Sequence, residues 1–152
     1  MNLLSGWWIP VHDGDPRALA LFKRHYSYRK RTSGNPRGNT LFIGPGEKLV
    51  LLTQDCRALF AWQHSTIERL AREKQEGVRC SVFRNEGPVL SSELIREACV
   101  WAWQRWPGQR LYTYVNDRKI KSVNPGYCFK MADWQYCDRN KDGRLSVLEK
   151  LP

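Results

Sequence analysis

The amino-acid sequence predicts a mixed α/β fold, a central and mostly antiparallel sheet flanked by helices, and three observations carry that prediction. Segments with apolar residues at helical spacing alternate with short extended runs. One strand–loop–helix–strand unit stands beside neighbouring hairpins, an order that builds a mixed sheet with helical cover. The 152 residues, 41% hydrophobic and 12% aromatic, suffice for one domain (1–152) with its own core and exclude a disordered chain.

The elements follow in order. After a first strand, Asp15-Pro16 supplies a helix N-cap and a first-turn proline. Ala18, Leu19, Phe22 and Tyr26 continue at helical spacing into Arg29-Lys30-Arg31, and the loop Ser33-Gly34-Asn35-Pro36 stops the helix. Thr40–Ile43 and Lys48–Thr53, joined by Gly44-Pro45-Gly46-Glu47, read as a hairpin, with Arg57–Trp62 as a third strand. Ser65-Thr66-Ile67-Glu68 has capping-box spacing and opens a charged helix ending near Gly77.

Val78–Phe83 is the next strand, and Ser91 or Ser92 caps a helix whose face is Leu94, Ile95, Ala98, Cys99, Trp101 and Ala102. Pro107-Gly108 ends that helix, Leu111–Val115 is a strand, and Asn124-Pro125 opens a helical turn. Trp134–Tyr136 and Leu145–Leu148 close the chain as a hairpin.

Charge narrows the partners. Against 15 acidic residues stand 25 Lys and Arg, a net charge of +10, which favours polyanions or phosphate-bearing ligands. No run of 18 apolar residues is present, and Met1–Pro10 lacks the pattern of a secretory signal, so no membrane partner and a cytoplasmic location are expected. The five cysteines are scattered, with no CxxC and no nearby histidine, which points to reduced structural thiols and to no metal centre. Seven tryptophans offer core volume or flat platforms for stacked bases.

The segment Arg84-Asn85-Glu86-Gly87-Pro88-Val89-Leu90-Ser91-Ser92 leaves a strand and enters a helix N-terminus. Backbone amides and the helix dipole there suit a phosphate or pyrophosphate, and Arg84 adds a two-pronged cation. The plainer alternative is a strand-to-helix turn with a serine cap.

The order of elements, with this loop before the main helix and Asn116…Asn124-Pro125-Gly126-Tyr127-Cys128-Phe129 after the next strand, resembles the GNAT N-acyltransferase family. Arg84-x-x-Gly87 matches the first half of that family's pyrophosphate loop, while Leu90 stands where a second small residue is usual. The resemblance implies acetyl-CoA or a related acyl donor held by Arg84, Asn85, Gly87, Ser91, Ser92, Asn124 and Tyr127. More narrowly, Phe83-Arg84-Asn85-Glu86, Ser91–Ile95, Leu111–Asn116 and Asn124–Phe129 together resemble phage-encoded relatives of the phage Mu Mom adenine-modification protein. That implies DNA as partner, transfer of an acyl-type group to the exocyclic amine of adenine, and extrusion of the base from the duplex.

Within that frame His25 and Tyr26 are candidates for base and orienting group, Tyr114 and Asn116 for the acceptor pocket, and Asp133 for contact with an acceptor amine. A solvated helix end for His25 and a turn role for Asp133 are the plainer readings. Between positions 23 and 37 stand Lys23, Arg24, Arg29, Lys30, Arg31 and Arg37 with no acid, either a solvated face or a nucleic-acid contact.

Asp138–Glu149 fits the calcium loop D-x-N-x-D-G-x5-E. The sequence leaves three residues after it for an exiting helix, and Asn140-Lys141-Asp142-Gly143 before alternating Leu145 and Val147 reads better as a hairpin. The rivals to a DNA-modifying transferase are therefore a GNAT acetyltransferase for a protein or small-molecule amine, a DNA-binding protein without chemistry, and a calcium module.

Overall fold

The computed structural model describes residues 6–25, 41–44, 46–64, 66–116 and 126–152. Its elements are β1 (Trp8–Val11), α1 (Pro16–Lys23), β2 (Glu47–Thr53), β3 (Ala58–His64), α2 (Ile67–Glu73), β4 (Val78–Asn85), α3 (Ser91–Arg105), β5 (Leu111–Val115), α4 (Tyr127–Met131), β6 (Gln135–Arg139) and β7 (Ser146–Lys150). The strands form one seven-stranded sheet in the order β1-β2-β3-β4-β5-β7-β6. All its neighbours run antiparallel except β4 and β5, so the mixed, mostly antiparallel sheet with helical cover is as predicted.

Helix α1 starts as the sequence implies. The Asp15 carboxylate accepts from the Arg17 N–H at 2.9 Å, and Pro16 fills the first turn where no donor is needed. The helix ends at Lys23, well before the Arg29-Lys30-Arg31 run to which its sequence spacing carries it, a first correction: Arg24 and His25 close the last turn with tighter bonds to the Leu21 and Phe22 carbonyls. Position 26, with the rest of 26–40, lies outside the described residues.

Three further expectations are corrected. Residues 41–43 form no strand, because Phe42 and Ile43 give their N–H groups to the Asp13 carboxylate at 2.9 and 3.2 Å, and Ile43 is buried with Ala18 and Leu21. Strand β2 pairs with β1 and β3 instead. Helix α2 stops at Glu73, short of Gly77, where Lys74 takes a left-handed φ of 60°. Neither Ser91 nor Ser92 caps α3: Leu90 occupies the N-cap without a side-chain bond, and the Ser91 hydroxyl accepts from Asn85 Nδ2 at 2.9 Å.

The two sheet faces carry separate cores. Leu51, Phe60, Trp62, Val78, Cys80, Leu111, Val115 and Leu148 face α3 and α4. The predicted stripe of α3 is all buried there. Phe60 sits centrally, with ring contacts to Trp8, Trp62, Phe83 and Phe129. The indole N–H groups of Trp8 and Trp62 donate to the Leu94 and Ala98 carbonyls at 2.8 and 2.9 Å, leaving both rings fully enclosed without an unpaired donor. The opposite face packs Val50, Leu52, Leu59, Ala61 and Val82 against Ala18 and Leu21 of α1.

The closing hairpin forms as predicted. Its turn uses the would-be calcium ligands internally: Asn140 Oδ1 accepts from Leu145 N–H and Asp142 Oδ1 from Arg144 N–H, each at 3.0 Å. Glu149, the twelfth position of the motif, lies on β7 and takes the Arg110 Nε at 2.7 Å. No helix among the described residues is long and apolar enough to cross a membrane.

Candidate functional site

Strands β4 and β5 part early. Their register holds for Val78–Leu111, Arg79–Tyr112 and Cys80–Thr113 and then ends, although β4 runs on to Asn85 and β5 to Val115. At the same point β4 bulges: Ala61 of β3 opposes Val82 while Trp62 opposes Cys80, leaving Ser81 with no ladder partner in either neighbour. Parallel strands released in this way leave a wedge with backbone edges on both sides.

Aromatic packing closes one side of the wedge. Phe129 of α4 stands against Phe83 of β4, with ring centroids 5.9 Å apart. A Cβ on Gly126, whose φ is 76°, would meet Leu148 at 2.5 Å, so glycine lets α4 start tight against β7. Arg96 of α3 donates to the Met131 carbonyl and Lys150 to that of Ala132, which pins the other end. Tyr127 is exposed in the first turn of α4.

The other side is polar. Tyr114, the first residue of β5 beyond the register, donates its hydroxyl to Glu73 of α2 at 3.3 Å. The Arg79 guanidinium lies over the Tyr114 ring at 5.0 Å and 4.0 Å from the Glu73 carboxylate. Burial, then the Glu73 charge, pushes the Tyr114 phenol well above its ordinary range, so it stays protonated. Ser81 donates to the buried Gln63 at 3.2 Å. Asn116 follows β5, half-buried.

The loop after β4 is largely self-satisfied. Gly87 N–H donates to Asn85 Oδ1 at 3.0 Å, Asn85 Nδ2 donates to the Val89 carbonyl at 2.8 Å, and Glu86 N–H donates to the Arg57 carbonyl at 2.7 Å. Arg84 gives Nε to Glu86 at 2.9 Å and Nη1 to the Arg24 carbonyl at 2.9 Å. Its Nη2 bonds nothing among the described residues. Ser91 and Ser92 contribute the uncapped first turn of α3.

This loop meets the end of α1. Arg24 grips Glu86 through two hydrogen bonds of 2.7 and 2.9 Å. Bonds from Arg24 and then Arg84 hold the Glu86 carboxyl down at about 2. His25 sits beside Arg84 and the Phe83 backbone. Desolvation first and the Arg84 charge second lower it to about 4, so its ring is neutral at pH 7 and a weak base. Lys23, at the C-terminal turn of α1, is exposed.

The structure thus brings His25 and Arg24 to Arg84 and Glu86, leaves Asn85 and Gly87 bonded within their own loop, and sets Tyr114 at the wedge. Asp133 is exposed in the turn after α4 with φ 71°. Tyr26, Asn124, Arg29, Lys30, Arg31 and Arg37 lie outside the described residues. Sequence reasoning missed Glu73, Arg79 and Ser81. Only the bulge left a trace, in the adjacent apolar Val82 and Phe83 that break the alternation of Val78 and Cys80. Among the described residues no cluster of His, Cys, Asp and Glu is arranged to hold a metal. Compared with known protein families, curated proteins and solved structures, the chain matches none.

Proposed function

We propose that this chain is an acyltransferase-like enzyme whose donor lies in the wedge between β4 and β5 and whose acceptor is the exocyclic amine of a nucleobase, adenine by its sequence resemblance. The observation that carries the reading is the release of β4 from β5 directly after Cys80–Thr113, with Ser81 unpartnered on both flanks. An acyl donor with an amide-containing arm, such as acetyl-CoA, is able to enter as an extra strand and bond the edges that the two strands deny each other. Arg84 Nη2 and the uncapped first turn of α3 are the groups left for its phosphates.

In the reaction the amine lone pair forms the new bond to the acyl carbon. The acyl–sulfur bond breaks with its electrons going to sulfur, and the proton shed by the amine ends on that thiolate. Tyr114 and Glu73, at the β5 lip, are the pair assigned to orienting the acceptor and relaying that proton. The net charge of +10 suits a nucleic-acid acceptor.

The test is incubation of the protein with acetyl-CoA and a DNA oligonucleotide, followed by mass analysis of the nucleosides and calorimetry with CoA. An acyl adduct on deoxyadenosine, weaker CoA binding in Arg84→Ala and loss of product in Tyr114→Phe are expected. Failure of CoA to bind, or an Arg84→Ala protein with full activity and full donor affinity, removes the reading. A second reading, a basic nucleic-acid-binding protein without chemistry, is favoured by the self-satisfied loop at Asn85–Gly87. It requires strongly salt-dependent DNA affinity with no CoA binding.

A further inference from the structure

A pocket of about 200 Å³, whose lining includes neither Glu86 nor Arg24, lies against the 85–89 loop, bounded by Trp7, the β2–β3 turn at Gln54 and Asp55, and Gly87 and Pro88. Sites for drug-sized ligands occupy roughly 300–1,000 Å³, so this one is sized for a single ring system. Trp7 is 42% exposed, and its main chain is anchored: the backbone N–H groups of Trp7 and Trp8 are both tied to the Glu97 carboxylate, at 3.1 and 2.8 Å. A side chain at Gly6 would collide with that same carboxylate, so glycine is what allows the approach.

Asp55 is held as firmly. Its Oδ1 accepts from the Thr53 hydroxyl at 2.7 Å and the Arg57 N–H at 3.1 Å. Its Oδ2 has no donor among the described residues and lies beside Gly87. Asn85 has no group to spare, since its amide is spent on Gly87, Val89 and Ser91. An indole face with an oriented acceptor-only carboxylate suits a flat ligand bearing an amino group. Exposed Arg57 stands two residues beyond Asp55, with its Cβ 3.3 Å from where a side chain on Gly87 would start, and is the rim cation open to a phosphate; Arg17 is already bound to Asp15 through two hydrogen bonds.

We infer that this pocket holds one unpaired, amino-bearing nucleobase, adenine or cytosine, with its ring on Trp7 and its amino edge on Asp55 Oδ2. The inference rests on the nucleic-acid reading above and requires no transfer chemistry. The experiment is fluorescence-anisotropy binding of labelled oligo(dA), oligo(dC) and oligo(dT) at one fixed salt concentration. The unmodified protein should bind dA and dC more tightly than dT. Trp7→Ala should weaken binding roughly 5- to 100-fold, the loss of one stacked base, and Trp7→Phe should recover most of it.

Asp55→Asn keeps the turn acceptor but offers an N–H where Oδ2 stood, and should shift preference toward dT. Equal affinity of all three variants and parent for every oligonucleotide, with unchanged melting temperature, overturns the pocket and leaves the nucleic-acid reading intact. No binding of any oligonucleotide by the parent overturns both. Retained CoA binding in that case preserves the transferase on another amine.

Discussion

The two faces of the sheet are made of different material. Toward α3 and α4, inward positions carry Phe60 and Trp62 on β3, Val78 and Cys80 on β4, and Leu111 and Val115 on β5. Beyond α1, the opposite face carries Gln63, Arg79, Ser81, Tyr112 and Tyr114, joined by hydrogen bonds and ring contacts to one another or to Glu73. The same strands present both. Apolar burial holds the fold toward α3 and α4 and beneath α1, so the part of the second face beyond α1 is free to keep polar groups whose pairing yields little stability and whose chemistry remains usable.

The comparison can be broken first at Trp62. Its ring is fully buried and its N–H is bonded to α3, so Trp62→Ala should cost about 3–5 kcal/mol in denaturant unfolding. Tyr114→Phe, across the sheet, should cost only about 0.5–1.5 kcal/mol. Equal losses would mean that the polar face is structural.

The next effect is pH-dependent. His25 in the fold titrates at about 4 and its ordinary value is 6.5. Between those values the unfolded chain binds the extra proton, so stability is complete above 6.5 and falls as pH drops toward 4, by up to roughly 3 kcal/mol. Melting curves for His25→Asn should lose that slope. Glu86, lowered from 4.5 to about 2, loses its stabilising contribution only in the more acid window, so the two are separable.

Smaller effects sharpen the contrast between the helices on the two faces. Asp15→Ala removes the one side-chain cap of α1 and should cost about 1 kcal/mol. Ser91→Ala, at the start of the longer α3, removes no cap and should stay within about 0.5 kcal/mol. Thermal unfolding of the two variants side by side decides it.

What the sequence made legible is local chemistry. Asp15-Pro16 announces α1, the spacing of Leu94 to Ala102 announces α3, and Asn140 to Gly143 announces a hairpin against the stronger-looking calcium pattern. What it hid depends on distant partners. Thr40–Ile43 looks like a strand until Asp13 takes two of its N–H groups. Ser91 looks like a cap until Asn85 turns its amide toward the hydroxyl. Tyr114 was readable as a candidate, whereas Glu73, 41 positions away, was not, because nothing in a solvated helix such as α2 marks which carboxylate will meet a phenol.

The cysteines have a practical consequence. Cys137 is exposed on the edge strand β6, Cys56 is half-covered in the β2–β3 turn, Cys128 is partly covered in α4, and Cys80 and Cys99 lie buried behind it. Burial raises the Cys80, Cys99, Cys128 and Cys137 thiols alike, Cys99 to about 11, so access rather than acidity separates exposed Cys137 from the enclosed ones. The chain therefore contains a graded set of chemical clocks from sheet edge to centre. Timed alkylation with peptide mapping would register opening of the β4–β5 region at Cys80 and Cys128, with Cys137 as the internal reference.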